Sequence, residues 1–213
     1  MYDLVSLFYE RTKKKFLRNI NHIDNIPSIM QNGLLSYERA QMINHQSIAM
    51  INIQDLRNQK RVPNGLKLHQ YASLYFSARN PMMYYRKCHP DIIRMKDLCV
   101  LMILPNVLEM KGVVISDGNA ASNITRFYTA EEGLISLDFQ KVFAEWWNAD
   151  DYFEKEEKKR VKCAEVLIPY CIPYELISGV VVPYDITKNM MQSIGFDKQI
   201  WVHPDTFFLK DGV

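Results

Sequence analysis

Two apolar runs of strand length, 98–104 and 177–182, stand out along a chain that otherwise mixes polar and apolar positions every two to four residues. Runs of that length suit strands buried on both faces. Another strand is expected over 163–168, with further strands at 16–20, 73–76, 112–116 and 199–203. Helical spacing predicts helices over 27–32, 118–125 and 186–193, with 138–160 largely helical and 37–60 irregular or partly helical. A short helix over 81–86 opens on Pro81, which a first helical turn tolerates. Around 27–32 the punctuation is explicit: Asp24 or Asn25 is placed to cap the helix, Pro27 to open it, and Asn32-Gly33 to close it with a left-handed residue. Backbone donors at such a start suit an anionic ligand. Strands interspersed with short helices in this order give an α+β fold.

Composition sets the scale. With 213 residues, 48% hydrophobic and 12% aromatic, the chain can bury one sizeable core, and it reads as a single domain, 1–213. The net charge of only +2 moves any nucleic-acid argument to local clusters. Lys13, Lys14, Lys15 and Arg18 form one; Lys60 and Arg61 follow Arg57; Arg86, Lys87, Arg94 and Lys96 form a third. Tyr71, Tyr75, Tyr84, Tyr85 and Tyr128 interleave with them as stacking partners for unpaired bases. The charges of 155–162 read as a solvated face. Cysteines at 88, 99, 163 and 171, with only His89 near any of them, lack metal-ligand spacing, so no metal is expected. Free thiols, no leader pattern and no apolar run near the roughly 20 residues that span a bilayer point to a cytoplasmic protein that does not enter membranes.

Three residues carry candidate chemistry. Alternation places Cys163, Glu165 and Leu167 on one strand face, so a carboxylate stands among apolar neighbours, where it is costly unless partnered. It either points to water at a strand edge, pairs with a Lys or Arg, or does chemistry. Arg57 offers fixed bidentate donors that lysine lacks, for a pyrophosphate or an acceptor base, although a lone arginine is usually a surface residue. Arg79 either meets phosphates or braces the loop before Pro81. Trp146, Trp147, Tyr152 and Phe153 are candidates for stacking on bases or for the core.

Five blocks in order give the chain a more specific likeness. They are Asn19-Ile-Asn-His-Ile-Asp-Asn-Ile-Pro followed by Gly33-Leu-Leu-Ser36; Ser47-Ile-Ala through Gln54-Asp-Leu-Arg57-Asn58 and Val62-Pro63; Leu68-His69-Gln-Tyr71 through Tyr75-Phe76-Ser-Ala-Arg79-Asn80-Pro81-Met82; Ser116-Asp117-Gly-Asn-Ala120 through Tyr128; and Ala164-Glu165-Val-Leu167. In these blocks the chain resembles the bacterial DarT family, toxins that ADP-ribosylate DNA. The likeness departs at Asn19 and Asn21, where the family has His and Thr, and at Asn80 in place of Ser.

The resemblance implies an ADP-ribosyltransferase-like fold with a split, mostly antiparallel sheet, NAD+ as co-substrate without a metal, and transfer to a base, commonly thymidine, in single-stranded DNA. It makes Glu165 the catalytic carboxylate facing an oxocarbenium-like ribose and Arg57 the catalytic arginine. Beside these, cofactor binding is expected at Asn19, Asn21, Asp24, Asn25, Ser47, Tyr75 and Arg79, and nucleic-acid binding at Tyr71, Arg86, Asn119, Arg126 and Trp147. The resemblance also implies a cognate antitoxin, a DarG-like macrodomain protein. An RNA-directed transferase or RNA 2'-phosphotransferase-like enzyme, and a catalytically silent nucleic-acid-binding module, stand as alternatives. Retention of Arg57 with Glu165 argues against the silent form.

Overall fold

The computed structural model describes residues 3–63 and 65–209. In chain order its helices and strands are α1 (Leu4–Thr12), β1 (Leu17–His22), α2 (Ile26–Asn32), β2 (Leu34–Leu35), α3 (Tyr37–Ala40), α4 (Ile51–Gln59), β3 (Tyr71–Tyr75), α5 (Pro81–Cys88), β4 (Leu98–Ile103) and β5 (Val114–Ser116). Then follow β6 (Phe127–Thr129), α6 (Ala130–Ser136), α7 (Phe139–Val142), α8 (Tyr152–Lys162), β7 (Glu165–Pro169), β8 (Cys171–Ile172), β9 (Ile177–Val182), α9 (Asp185–Ser193) and β10 (Gln199–Val202).

Eight strands form one sheet in the order β10-β9-β4-β1-β3-β7-β5-β6, with β2 and β8 a separate pair. Only β9 and β10 run parallel; every other neighbouring pair in the sheet is antiparallel. The fold is α+β and the sheet mostly antiparallel. All six residues of β4 are buried because both faces of the sheet are covered, which explains the unbroken apolar run. Leu101 and Ile103 face one core with Leu17, Leu74, Val166 and Ile168, and Val100 and Met102 face another with Ile20, Met83, Trp147 and Phe207.

The sheet is weakest in the middle. β1 pairs with β4 along its whole length but with β3 at one position, Arg18 opposite Tyr75. Beyond that point the two strands part, and the inner sheet edges left there frame the site described below.

Three local expectations are corrected. Asn25 makes no side-chain cap on α2: a short turn of 3-10 helix, Ile23–Asn25, precedes α2, and the His22 side chain accepts from the Asp24 N–H at its start. Gly33 does close α2, with φ +74°, and a Cβ there would lie 2.4 Å from the Ile172 carbonyl oxygen. Residues 118–125 are a turn, not a helix, because Asn119 and Thr125 bond local backbone and so compete with helical hydrogen bonds. The helix nearest that position is α6, opened by a capping box in which Thr129 and Glu132 exchange bonds. Finally, 143–151 is irregular and separates α7 from α8.

Candidate active site

Glu165 opens β7, a strand paired on both sides, opposite Tyr75 of β3 and Ser116 of β5. It therefore lies inside the sheet, not at an edge, and is 1% exposed. A carboxylate so placed needs donors. The Arg57 guanidinium, from the last turn of α4, bridges both of its oxygens at 3.1 Å each, and the Ala120 N–H donates to it at 2.9 Å. Arg57 also donates to the Ser73 hydroxyl at 2.7 Å. Burial opposes the Arg57 charge, but the adjoining carboxylate outweighs it and holds the guanidinium pKa above its ordinary value. Burial first, and Glu165 second, push the Tyr75 phenol well above its ordinary range, so it stays protonated.

Across the gap between β1 and β3 runs a relay of amides. The Asn25 side chain donates to Asn21 Oδ1 at 2.8 Å, Asn21 to Asn19 Oδ1 at 2.9 Å, and Asn19 to the Ser73 carbonyl at 3.0 Å. Asn25 also exchanges bonds with the Gln46 backbone, at 2.8 and 2.7 Å, and so ties the 43–50 loop to this relay. Asn19 and Asn21 thus stand where the sheet splits, and their amides join the loop to the Arg57–Glu165 pair through Ser73.

This split opens into a cavity of about 920 Å³ whose wall includes Asn19, Asn21, Asn25, Ser47, Arg57 and Tyr75. That volume suits a dinucleotide-sized ligand. Tyr71 and Asn119 also reach the wall, although Tyr71 is largely committed to the core and its hydroxyl accepts from the Leu66 N–H at 3.1 Å. Glu165 itself lies just behind Arg57, Ser73 and Tyr75. The guanidinium stands between the carboxylate and the open space.

Other expected site residues sit elsewhere. Asp24 is exposed beside His22, outside the cavity wall, because the 3-10 turn Ile23–Asn25 carries it to solvent. Arg79 takes the bracing alternative: it pairs with Asp205 and lies 4.2 Å from the Phe208 ring. Arg86 is 2% exposed, and its Nε donates to the Ile48 carbonyl at 2.8 Å, so it anchors the 43–50 loop and has no surface for DNA. Trp147 is core, packed edge-on against Tyr84 and Phe208. Arg126 is exposed outside the wall, and among the described residues its guanidinium has no ion-pair partner. The aromatics that do face out beside this site are Tyr152 and Phe153, 68% and 80% exposed, and Phe153 lines the cavity mouth.

Sequence reasoning missed Ser73, Ala120 and the brace in which His69 meets Gln54 of α4 at 3.0 Å. Burial, reinforced by Arg57, lowers the His69 pKa, keeping the ring neutral beside that guanidinium. Ser73 carried a signal, a hydroxyl amid an apolar strand; the Ala120 contact is made by backbone and carried none. Among the described residues, no group of three His, Cys, Asp or Glu is placed to hold a metal ion, and no helix is long and apolar enough to cross a membrane.

A family model described as DarT, ssDNA thymidine ADP-ribosyltransferase, matches residues 19–208. A DNA ADP-ribosyl transferase–DNA ADP-ribosyl glycohydrolase fusion protein of Thermosipho africanus is 32% identical over 198 residues, 89% of this chain and 48% of that protein. The chain thus spans about half the length of that relative. A DNA ADP-ribosyl transferase of Thermus sp. is 31% identical over 170 residues, covering 77% of this chain and 79% of its own. The solved structure of Thermus sp. 2.9 DarT in complex with ADP-ribosylated ssDNA superposes with a TM-score of 0.79 at 25% identity, over 91% of this chain and 96% of that one.

Proposed function

Since the chain belongs to the DarT family of single-stranded-DNA thymidine ADP-ribosyltransferases, we propose that it acts as one transferase domain that moves ADP-ribose from NAD+ to a thymidine base in single-stranded DNA. The observation that supports this most is the buried Glu165 carboxylate clamped by Arg57 at the head of a cavity of dinucleotide size. In this reaction the bond from the nicotinamide nitrogen to the ribose carbon breaks with its electron pair going to nicotinamide, which leaves neutral, and a ring nitrogen of the base releases its proton to solvent and bonds to that carbon. Positive charge develops on the ribose as the leaving group departs, and a preorganised carboxylate stabilises that state more than the ground state. Arg57 swings from Glu165 toward the acceptor base, which frees the carboxylate for the ribose and orients the nucleophile with two fixed donors.

A base inside a duplex cannot present that nitrogen without unpairing, so an unpaired strand is the cheaper substrate. Incubation with labelled NAD+ and matched DNA and RNA oligonucleotides, followed by mass analysis, tests the assignment. Adduct on thymidine of single-stranded DNA supports it; adduct on RNA alone, or none, contradicts it. Binding to labelled strands is expected to favour single-stranded over duplex DNA and to fall steeply with salt, because phosphate contacts release counterions. Equal affinity for the two forms, measured by fluorescence anisotropy, contradicts this.

The asparagines of the split sheet hold the nicotinamide end. Asn21→Ala removes an acceptor used by Asn25 and a donor used by Asn19. We expect NAD+ affinity to weaken by about 1–3 kcal/mol, with DNA affinity nearly unchanged. Calorimetry showing wild-type NAD+ affinity moves the nicotinamide pocket elsewhere. Such an activity damages template DNA and calls for an enzyme that removes the modification. The Thermosipho africanus relative joins a glycohydrolase to its transferase in one polypeptide; for this chain the corresponding partner is a DarG-like macrodomain antitoxin, and the setting is the cytoplasm. Soluble expression without such a partner is expected to arrest growth.

A further inference from the structure

The third donor to Glu165, the Ala120 N–H, is held by a cluster that the reaction itself does not consume. Ala120 lies in the turn between β5 and β6. The Asn119 N–H donates to the Arg160 carbonyl at 2.9 Å, and the Thr125 hydroxyl donates to the Asn119 carbonyl at 2.7 Å. The Ser116 hydroxyl accepts the Glu165 N–H at 3.2 Å and donates to the Gly118 carbonyl at 2.7 Å. The Arg160 side chain, 12% exposed, closes this turn from α8. Its Nη1 reaches Asp117 Oδ1 at 2.6 Å and the Thr125 hydroxyl at 3.1 Å, while Nε and Nη2 hold Glu157 at 2.7 and 2.8 Å. The same Asp117 oxygen accepts the Arg126 N–H at 3.0 Å. At Gly118 there is no room for a side chain, since a Cβ would lie 2.4 Å from Arg160 Nη1.

We propose that Arg160 and Asp117 are a positioning pair for ADP-ribosyl transfer: they fix the turn that aims the Ala120 N–H at Glu165, and so set the direction in which the carboxylate faces the ribose. This rests on the transferase reading above. A backbone donor locked before reaction needs no reorganisation when charge develops, and small displacements at a reacting centre are costly in rate. Only a planar fork of donors reaches Asp117, Thr125 and Glu157 at once, which explains arginine at this position. Arg160 also borders the cavity, whereas Asp117 does not, so Asp117 separates positioning from direct substrate contact.

The test compares the wild-type chain with Asp117→Asn, Arg160→Ala, the double variant and Arg160→Lys. Single-turnover transfer is measured at saturating NAD+ and single-stranded DNA, with NAD+ affinity by calorimetry and the unfolding midpoint for each. Asp117→Asn and Arg160→Ala are each expected to slow transfer about tenfold or more while NAD+ affinity stays within about threefold. The double variant should be no slower than the slower single, because both changes act through the same ion pair, and Arg160→Lys should recover part of the rate. Gly118→Ala, which strains that contact without altering a charge, should also slow transfer, and it carries the test if Arg160→Ala does not fold. A wild-type rate in Asp117→Asn, multiplicative losses in the double variant, or a loss confined to NAD+ affinity overturns the pair. A wild-type chain that transfers nothing to DNA overturns the transferase reading as well; one that transfers, matched by Asp117→Asn, overturns only the positioning pair.

Discussion

Glu165→Gln is expected to cut ADP-ribosyl transfer by about a hundredfold to a thousandfold or more, because it removes the negative charge opposite the ribose while keeping nearly the same shape. The structure adds a stability cost that shape alone does not suggest. In the wild type both oxygens accept from Arg57 at 3.1 Å; in the variant one of them becomes an NH2 group facing a donor. Arg57 then keeps two of its three hydrogen bonds but loses its counter-charge, although it borders an open cavity and can turn into it. A loss of about 1–3 kcal/mol in folding stability is expected, measured by denaturant unfolding. The chain should therefore still fold and bind NAD+. Wild-type turnover in this variant contradicts the role assigned to Glu165.

Arg57→Ala carries the second large effect, and it divides recognition from chemistry. Removing the guanidinium leaves Glu165 with only the Ala120 N–H and deprives Ser73 of its donor. An uncompensated buried carboxylate is costly, so stability should fall by about 3–5 kcal/mol, more than in Glu165→Gln. Transfer should drop at least about a hundredfold, whereas single-stranded DNA binding should weaken by less than about threefold, since one contact among several is a small part of affinity. Arg57→Lys should not restore transfer, because an ammonium is a point charge that lacks the two fixed, coplanar donors that orient the acceptor base. Parallel losses of binding and transfer in Arg57→Ala, or full rescue by lysine, would place Arg57 among the DNA contacts instead.

Local pattern carried much of the fold. The run in β4, the short apolar segment of β7 and the Pro27-to-Gly33 frame of α2 were legible because each is a short-range consequence of burial or of backbone conformation. The turn at 118–125 was not, because its Ala-Ala-Ser stretch resembles a helix until Asn119 and Thr125 take local bonds and Gly118 meets Arg160. Of the candidate site, Arg57 and Glu165 were picked out singly, but their contact spans 108 positions along the chain and appears only in three dimensions. The charged and aromatic residues were the least readable. Arg86 and Trp147 have the composition of a nucleic-acid surface, yet a carbonyl of the 43–50 loop takes one and the Tyr84–Phe208 cluster the other. The amide relay shows the opposite case: Asn19 and Asn21 break the family pattern, and the structure places them, joined by hydrogen bonds, at the split of the sheet.

The most direct measurement takes a single-stranded oligonucleotide with one thymidine, the same strand with that thymidine replaced by cytidine, and the first strand annealed to its complement. Each is incubated with NAD+ and either the wild-type chain or Glu165→Gln, and the adduct is located by fragmentation mass spectrometry. One ADP-ribosyl group is expected on the thymidine base of the free strand with the wild-type chain, and little or none in the other combinations. Adduct of equal yield on the cytidine strand or the duplex, or undiminished adduct with Glu165→Gln, would contradict this.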